Sequence, residues 1–505
     1  MTGEILRPNG RPVQLNDLGF SLVSNNLSAR VETFPGSAPG TRSGGSGLTP
    51  PVLRSAEVRE LGTAVLQDDH PEREQEKQVD LLIPAGGPED GRLLIYIDEA
   101  GAISFHLPQS DRQPPPGVRA GREGVLRFTI PLRRPEPATK AAPVRGVGGM
   151  VAKQVLKVVG WKVAGETVGQ VGPALVRRWE AAQRPMRVLG PTNLFQPQAA
   201  ALAGPIPAGG RSLLFIHGTF SRIATAFQGI PADAEFMNQI TSRYGDRIFG
   251  FDHPTLATGV ASNIMQLYEN LAPGQHTFDI ICHSRGGLVA RALRDLNQEQ
   301  LQERFAVDAE RGNYEAELVD WGGDWQIPDG VQVTVDRILF VATPNNGTVL
   351  AQPDFLQKYL EIMMTATNLL PDIVDIGLDA VLTVAKLLVS QVMPALPGLD
   401  DQKPGGDFIK LLNQTPGPHD AAIEANYEPP AGLQAVMQMA DRTVDLIFEQ
   451  LENDLVVPTK GVSDWPGGDF QQPRQLTFSP AAGAHHLNLF QQPQTRQQLL
   501  AWLVG

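Results

Sequence analysis

The sequence predicts an α/β fold over residues 206–505: a doubly wound, mostly parallel sheet carrying a helical insertion at about 350–440, preceded by a small β-rich domain. Three observations lead there. Strand-like apolar runs alternate with helical ones after residue 206. One of them, Thr277–Cys282, turns into a helix through His283-Ser284-Arg285-Gly286-Gly287 with no intervening loop. And residues 78–132 hold short strand-like runs separated by turn residues.

Taken in order, residues 1–55 are polar and rich in Gly, Ser and Pro, and are expected to be disordered or extended, above all Gly36–Pro51. Residues 56–135 form the β-rich accessory domain. Its strands are read at Asp80–Pro84, Arg92–Ile97, Ala102–Leu107 and Val125–Leu132, with a hairpin turn at Asp98–Gly101. Residues 136–205 read as a linker and a helical segment, because Val151, Val155, Val158 and Val159 fall on one helical face. That face is expected to pack against the next domain, with peripheral membrane contact as the alternative. In 206–505 the strands are placed at Ser212–Ile216, Arg247–Phe251, Thr277–Cys282, Arg337–Ala342 and Leu476–Phe478. Helices are placed at Met237–Tyr244, Ala261–Leu271, Gly286–Leu296 and Gln494–Leu503. Between the Thr343 loop and Asp454 lies more chain than one connection needs. Its apolar run Phe355–Leu399 suits either a cap over an oily pocket or a helical subdomain with its own core.

Composition narrows the function classes. The net charge of −13 repels phosphate backbones, so nucleic acid is not an expected partner. One cysteine, Cys282, excludes an intrachain disulfide, and the N-terminus lacks a signal-peptide pattern; a cytoplasmic location is expected. The most apolar stretch is broken by Asp375, Asp379, Lys386, Pro394 and Pro397, unlike a membrane span. The histidines lack metal-ligand spacing, and no cofactor is expected. Oligomeric state leaves no mark in the sequence.

The strand–turn–helix at Ser284 carries the chemistry. A sharp turn there lifts the serine hydroxyl above the sheet and needs small residues two before and two after it. Gly286 meets that need; Cys282 stands where glycine is usual, and is small enough. The N–H of Arg285, at the helix start, faces a developing oxyanion. Upstream, the strand Leu213–Ile216 ends in His217-Gly218-Thr219-Phe220, a loop able to supply the second donor from Thr219, with Phe220 the runner-up. A triad in the chain order Ser, acid, His needs a carboxylate after Ser284. Asp454, before the apolar run Leu455-Val456-Val457-Pro458, is the best; Glu452 and Asp464 are rivals. The histidines after it are His485 and His486.

These segments resemble lipase-like serine hydrolases of the α/β-hydrolase superfamily. The similarity is to the branch that includes bacterial lipase-like proteins and GPI-inositol deacylase. The matching residues are His217–Phe220, Phe251–Leu256, Cys282–Arg291, Val341–Thr348, Asn453–Pro458 and His486–Phe490, in family order. The resemblance covers about 206–505. It implies a triad of Ser284, Asp454 and His486, and activity on acyl esters or lipid-like substrates. It also implies an oxyanion hole from Thr219 and Arg285, and a substrate pocket touched by Phe220, His283 and Thr343. An amidase, peptidase or acyltransferase would use the same triad. A non-catalytic interaction protein on the same scaffold is the reading from another class.

Overall fold

The computed structural model describes residues 4–35, 59–68, 77–85, 90–97, 103–106, 109–111, 124–132, 154–162, 180, 186–197, 199–312, 325–351, 396–412, 416–428, 451–465, 468–470 and 474–504. The chain falls into two compact units.

The first unit is built of two antiparallel sheets. Its strands are β1 (Glu4–Leu6), β2 (Val13–Leu15), β3 (Phe20–Val23), β4 (Ala29–Pro35), β5 (Arg59–Asp68), β6 (Lys77–Pro84), β7 (Asp90–Ile97), β8 (Ile103–His106), β9 (Gln109–Asp111), β10 (Val125–Leu132) and β11 (Gln154–Lys162). One sheet runs β1-β4-β5-β11-β7-β8 and the other β2-β3-β6-β10-β9. Alternate residues such as Val79, Leu81 and Ile83 of β6 and Leu156 and Val158 of β11 join one buried cluster drawn from both sheets.

Two expectations are corrected here. Residues 4–35 of the segment expected to be disordered or extended form four paired strands, held by buried Leu6, Leu15, Phe20, Leu22 and Val31. The helix read around Val155–Val159 is instead β11, a central strand paired with both β5 and β7. Its valines fit a helical spacing by accident; β-branched residues favour the pleated surface, and two partner strands decide the matter.

The second unit holds a seven-stranded sheet. Its members are β12 (Arg187–Leu189), β13 (Arg211–Ile216), β14 (Ile248–Asp252), β15 (Gly274–His283), β16 (Val331–Val341), β17 (Ala421–Ala425) and, after the small hairpin β18 (Asp464–Trp465) and β19 (Gly468–Asp469), β20 (Gln475–Phe478). The order is β12-β14-β13-β15-β16-β17-β20. β12 is antiparallel to β14, and every other pair is parallel. The sheet therefore starts before residue 206, at Arg187. The helices that matter are α1 (Ala234–Tyr244), α2 (Val260–Tyr268), α3 (Gly286–Asp295), α4 (Gln298–Gly312) and α5 (Pro493–Val504). Phe236, Ile240 and Tyr244 of α1 and Leu499, Leu500 and Leu503 of α5 cluster with Leu213, Phe215, Ile281, Leu339, Val341 and Ile423 of the strands. α3 packs on β13, β15 and β16 and touches α2, which touches α4. Continuous burial along β13, β14 and β15 is what a parallel sheet covered on both faces requires.

This strand order, with a single antiparallel strand at one edge, is the α/β-hydrolase fold. Most of the predicted insertion at about 350–440, including the run 355–395, lies outside the described residues. Among the described residues no helix is long and apolar enough to cross a membrane.

Candidate active site

β15 runs at the centre of the sheet, and its last residue is followed at once by Ser284 and α3. Ser284 has φ 54°, a left-handed conformation that a non-glycine residue holds only under constraint. The constraint is visible on both sides. The Ser284 N–H donates to the Val341 carbonyl at 2.9 Å, and the Ser284 carbonyl accepts from Gly287 N–H at 3.0 Å. Gly286 lets α3 approach the neighbouring strand: a Cβ there would lie 2.3 Å from the Ile216 carbonyl oxygen. Cys282 is fully buried, and burial pushes its thiol up, so it stays protonated beneath the turn.

The His217–Phe220 loop closes over the serine. A Cβ at Gly218 would stand 2.4 Å from Ser284 Cβ and 3.0 Å from Ser284 Oγ, so only glycine leaves room for the hydroxyl. His217 anchors this loop. Its Nε2 accepts from the His253 N–H at 3.1 Å, which puts the ring proton on Nδ1, 2.9 Å from the Gly218 carbonyl. Phe220 N–H donates to Thr255 Oγ1 at 3.2 Å. The N–H groups of Thr219 and Arg285 have no hydrogen-bond acceptor among the described residues. Of the two donors read from this loop, Thr219 is thus the uncommitted one. If the chain turns over an ester, Gly218→Ala is expected to lower that turnover at least about 100-fold, the effect of losing oxyanion placement. Comparing kcat with the melting temperature checks it; full turnover in a folded variant contradicts the close approach.

Asp454 and His486 meet in the structure. Asp454 Oδ2 accepts from His486 Nδ1 at 2.9 Å, and both residues are buried. Oδ1 accepts the N–H groups of Val456 and Val457 at 3.0 and 2.7 Å. The His486 N–H also reaches the Asp454 carbonyl at 2.9 Å. The carboxylate holds the proton on Nδ1 and leaves Nε2 unprotonated. Of the rivals, Glu452 is exposed, and Asp464 opens β18. His485 is placed differently: its Nδ1 accepts from Leu487 N–H at 3.3 Å, and its ring meets Tyr427 edge-on. Burial lowers its pKa to about 4, with Asp454 opposing.

His283 links the serine turn to His486. Its Nε2 lies 2.9 Å from the His486 carbonyl and the two rings are 4.8 Å apart. Burial, with the neighbouring His486 and His217, lowers its pKa to about 3, so it is neutral and donates to that carbonyl. Two of the residues expected in the substrate pocket, His283 and Thr343, have their side chains buried against neighbours. His283 is 5% exposed and its Nε2 is committed to the His486 backbone. Thr343 is 0% exposed, packed against Gly287 and 3.9 Å from Cys282 Sγ. Both side chains support the turn because α3 and the 485–490 segment cover them. Phe220 is nearly buried and, like Ser284, left-handed, at φ 59°.

Sequence reasoning missed the buried polar groups behind the turn. The Arg285 side chain is fully buried and donates to the Gly398 carbonyl (3.1 Å), Asn263 Oδ1 (3.0 Å) and the Thr258 carbonyl (2.9 Å). Burial lowers its pKa, and Asp401, Glu180 and Asp308 oppose that. Glu180 accepts three successive N–H groups, Thr255 to Ala257, at 2.7–2.9 Å. A buried guanidinium needs such acceptors, but their positions in the chain follow no local pattern. Among the described residues no cluster of side chains suits a metal ion.

No curated protein is a recognisable relative of the chain. Among solved structures, lipase 1 from Pelosinus fermentans is 14% identical, with a TM-score of 0.34, over 58% of this chain and 96% of that one. Phospholipase PlaB from Legionella pneumophila is 13% identical, with a TM-score of 0.32, over 58% and 60%. Carboxylesterase CesB from Bacillus subtilis is 13% identical, with a TM-score of 0.27, over 66% and 98%. Likenesses this distant leave the fold resting on the strand order and the serine turn. The model of the family described as "Domain of unknown function (DUF7379)" matches residues 184–309 and 324–504, more than half the chain and all three of Ser284, Asp454 and His486, and the chain belongs to that family.

Proposed function

We propose that the chain is a serine hydrolase that cleaves carboxylic esters of acyl, lipid-like substrates through an acyl-enzyme on Ser284. The observation that carries this reading is the strained Ser284, at φ 54° and in contact with Gly218, in a unit that also holds a buried Asp454–His486 pair. Strain of this kind persists where the surrounding structure imposes it, and it concentrates at reacting centres.

In this mechanism His486 Nε2 takes the Ser284 proton as Oγ attacks the ester carbonyl. The N–H groups of Thr219 and Arg285 bind the oxyanion. The imidazolium, stabilised by Asp454, gives its proton to the leaving alkoxide. A water then repeats the sequence on the acyl-enzyme and releases the acid. The neutral His283 keeps the His486 backbone in place without adding charge beside the imidazolium. The apolar sequence 355–399 is the reason for choosing lipid-like acyl groups.

The direct test is a fluorophosphonate probe together with short and long p-nitrophenyl esters. We expect covalent labelling at Ser284, located by peptide mass analysis, and ester turnover lost on labelling. A folded sample that neither labels nor hydrolyses any ester of the series would remove the serine-hydrolase reading and favour the interaction-protein reading.

A further inference from the structure

Both proposed oxyanion donors are tied to one short stretch of chain far from them in sequence. Arg285 reaches the Gly398 carbonyl oxygen through Nε at 3.1 Å. Gln402 Nε2 donates to that same oxygen at 2.9 Å and to Thr219 Oγ1 at 3.1 Å. The side chains of the two donor residues therefore converge, one directly and one through Gln402, on a single carbonyl.

That carbonyl is itself fixed. Gly398 N–H donates to the Leu256 carbonyl at 2.9 Å, and a Cβ at Gly398 would lie 2.3 Å from the Thr255 carbonyl oxygen. Asp401, fully buried, accepts Val260 N–H at 2.6 Å and Arg304 at 2.9 Å. The Gln402 carbonyl accepts Thr348 N–H at 2.8 Å. Glu180 in turn holds the 255–257 backbone. A segment so tied has one position, and whatever it holds inherits that position.

We propose that the turn Leu396–Gln402 sets the geometry of the oxyanion hole, with Gln402 as the positioning residue for Thr219. Gln402 is 4% exposed and acts through the Thr219 hydroxyl, not on substrate. A hydroxyl held from behind stops the Thr219 peptide from rotating, so its N–H stays aimed at the place where charge develops. The role rests on the serine-hydrolase reading above.

The experiment uses the full chain and a double-mutant cycle. Gln402→Met keeps the volume and removes the amide's hydrogen bonds to Thr219 and Gly398; Thr219→Val removes the hydroxyl and keeps the backbone N–H. Each is expected to lower kcat for a p-nitrophenyl ester about 10-fold, with KM within about 2-fold, less than loss of a whole donor. Affinity for a trifluoromethyl ketone, which presents an oxyanion, should fall in parallel with kcat. The double variant should lose no more than either single one, because both cut the same connection. Multiplying losses, unchanged kcat in Gln402→Met, or an effect on KM alone would overturn the assignment. Should Gln402→Met fail to fold by circular dichroism, Gln402→Leu carries the same measurements, since it removes the amide that bonds Thr219 Oγ1 and the Gly398 carbonyl. If the parent chain neither turns over esters nor accepts fluorophosphonate, the enzyme reading falls and takes this one with it. If the parent does both and the Gln402 variants match it, only the positioning role falls.

Discussion

Ser284→Ala is expected to abolish ester hydrolysis, by a factor on the order of 10⁴ or more in kcat, while the protein stays folded. Removal of a serine nucleophile from an intact triad costs about 10⁶ in the best-studied case, and what remains comes from the oxyanion hole and binding. The fold should survive because the contacts that shape the turn belong to the backbone. Ser284 N–H to Val341 and Ser284 carbonyl to Gly287 are untouched by loss of Oγ. The measurements are kcat on p-nitrophenyl butyrate and a thermal melt. Retention of more than a tenth of parental turnover, in a preparation free of contaminating esterase, would place the chemistry elsewhere.

The second large effect is expected from Asp454→Asn, and the hydrogen bonds around the carboxylate specify its direction. Oδ1 accepts two N–H groups, from Val456 and Val457, so an amide nitrogen cannot sit there. The new NH₂ must take the place of Oδ2 and point at His486 Nδ1, 2.9 Å away. Nδ1 must then accept, the ring proton moves to Nε2, and Nε2 can no longer take the serine proton. A tautomer error of this kind lowers kcat about 10⁴-fold at neutral pH with the geometry intact. Nitrogen-15 NMR of His486 should show protonation at Nε2 in the variant and at Nδ1 in the parent. A variant within 10-fold of the parent would mean that Asp454 does not orient the base.

Much of the candidate site was legible because it is made of local rules. Ser284 was legible because a strand that meets a helix without a loop needs a sharp turn, and only small residues such as Gly286 fit beside it. The order of Ser284, Asp454 and His486 along the chain was legible because in this sheet each follows a different strand: β15, β17 and β20. The choice between His485 and His486 needed the resemblance, since both neighbours satisfy the same spacing; in space they differ because His486 Nδ1 bonds to Asp454 while His485 packs against Tyr427.

What the amino-acid order determined by itself was therefore the central strands, the serine turn and the set of candidate groups for acyl chemistry. Each of these is written in periodicity or in a turn's demand for small residues. Tertiary structure alone decided that Gln154–Lys162 is a strand, because two partner strands outweigh a helical spacing of valines. It alone recruited the Ala-rich β17, whose small residues have little strand preference, and placed Thr343 under α3. It also brought Gln402 to Thr219, a pair 183 positions apart. Contacts between residues so distant leave no local pattern, because they depend on where the sheet puts its loops.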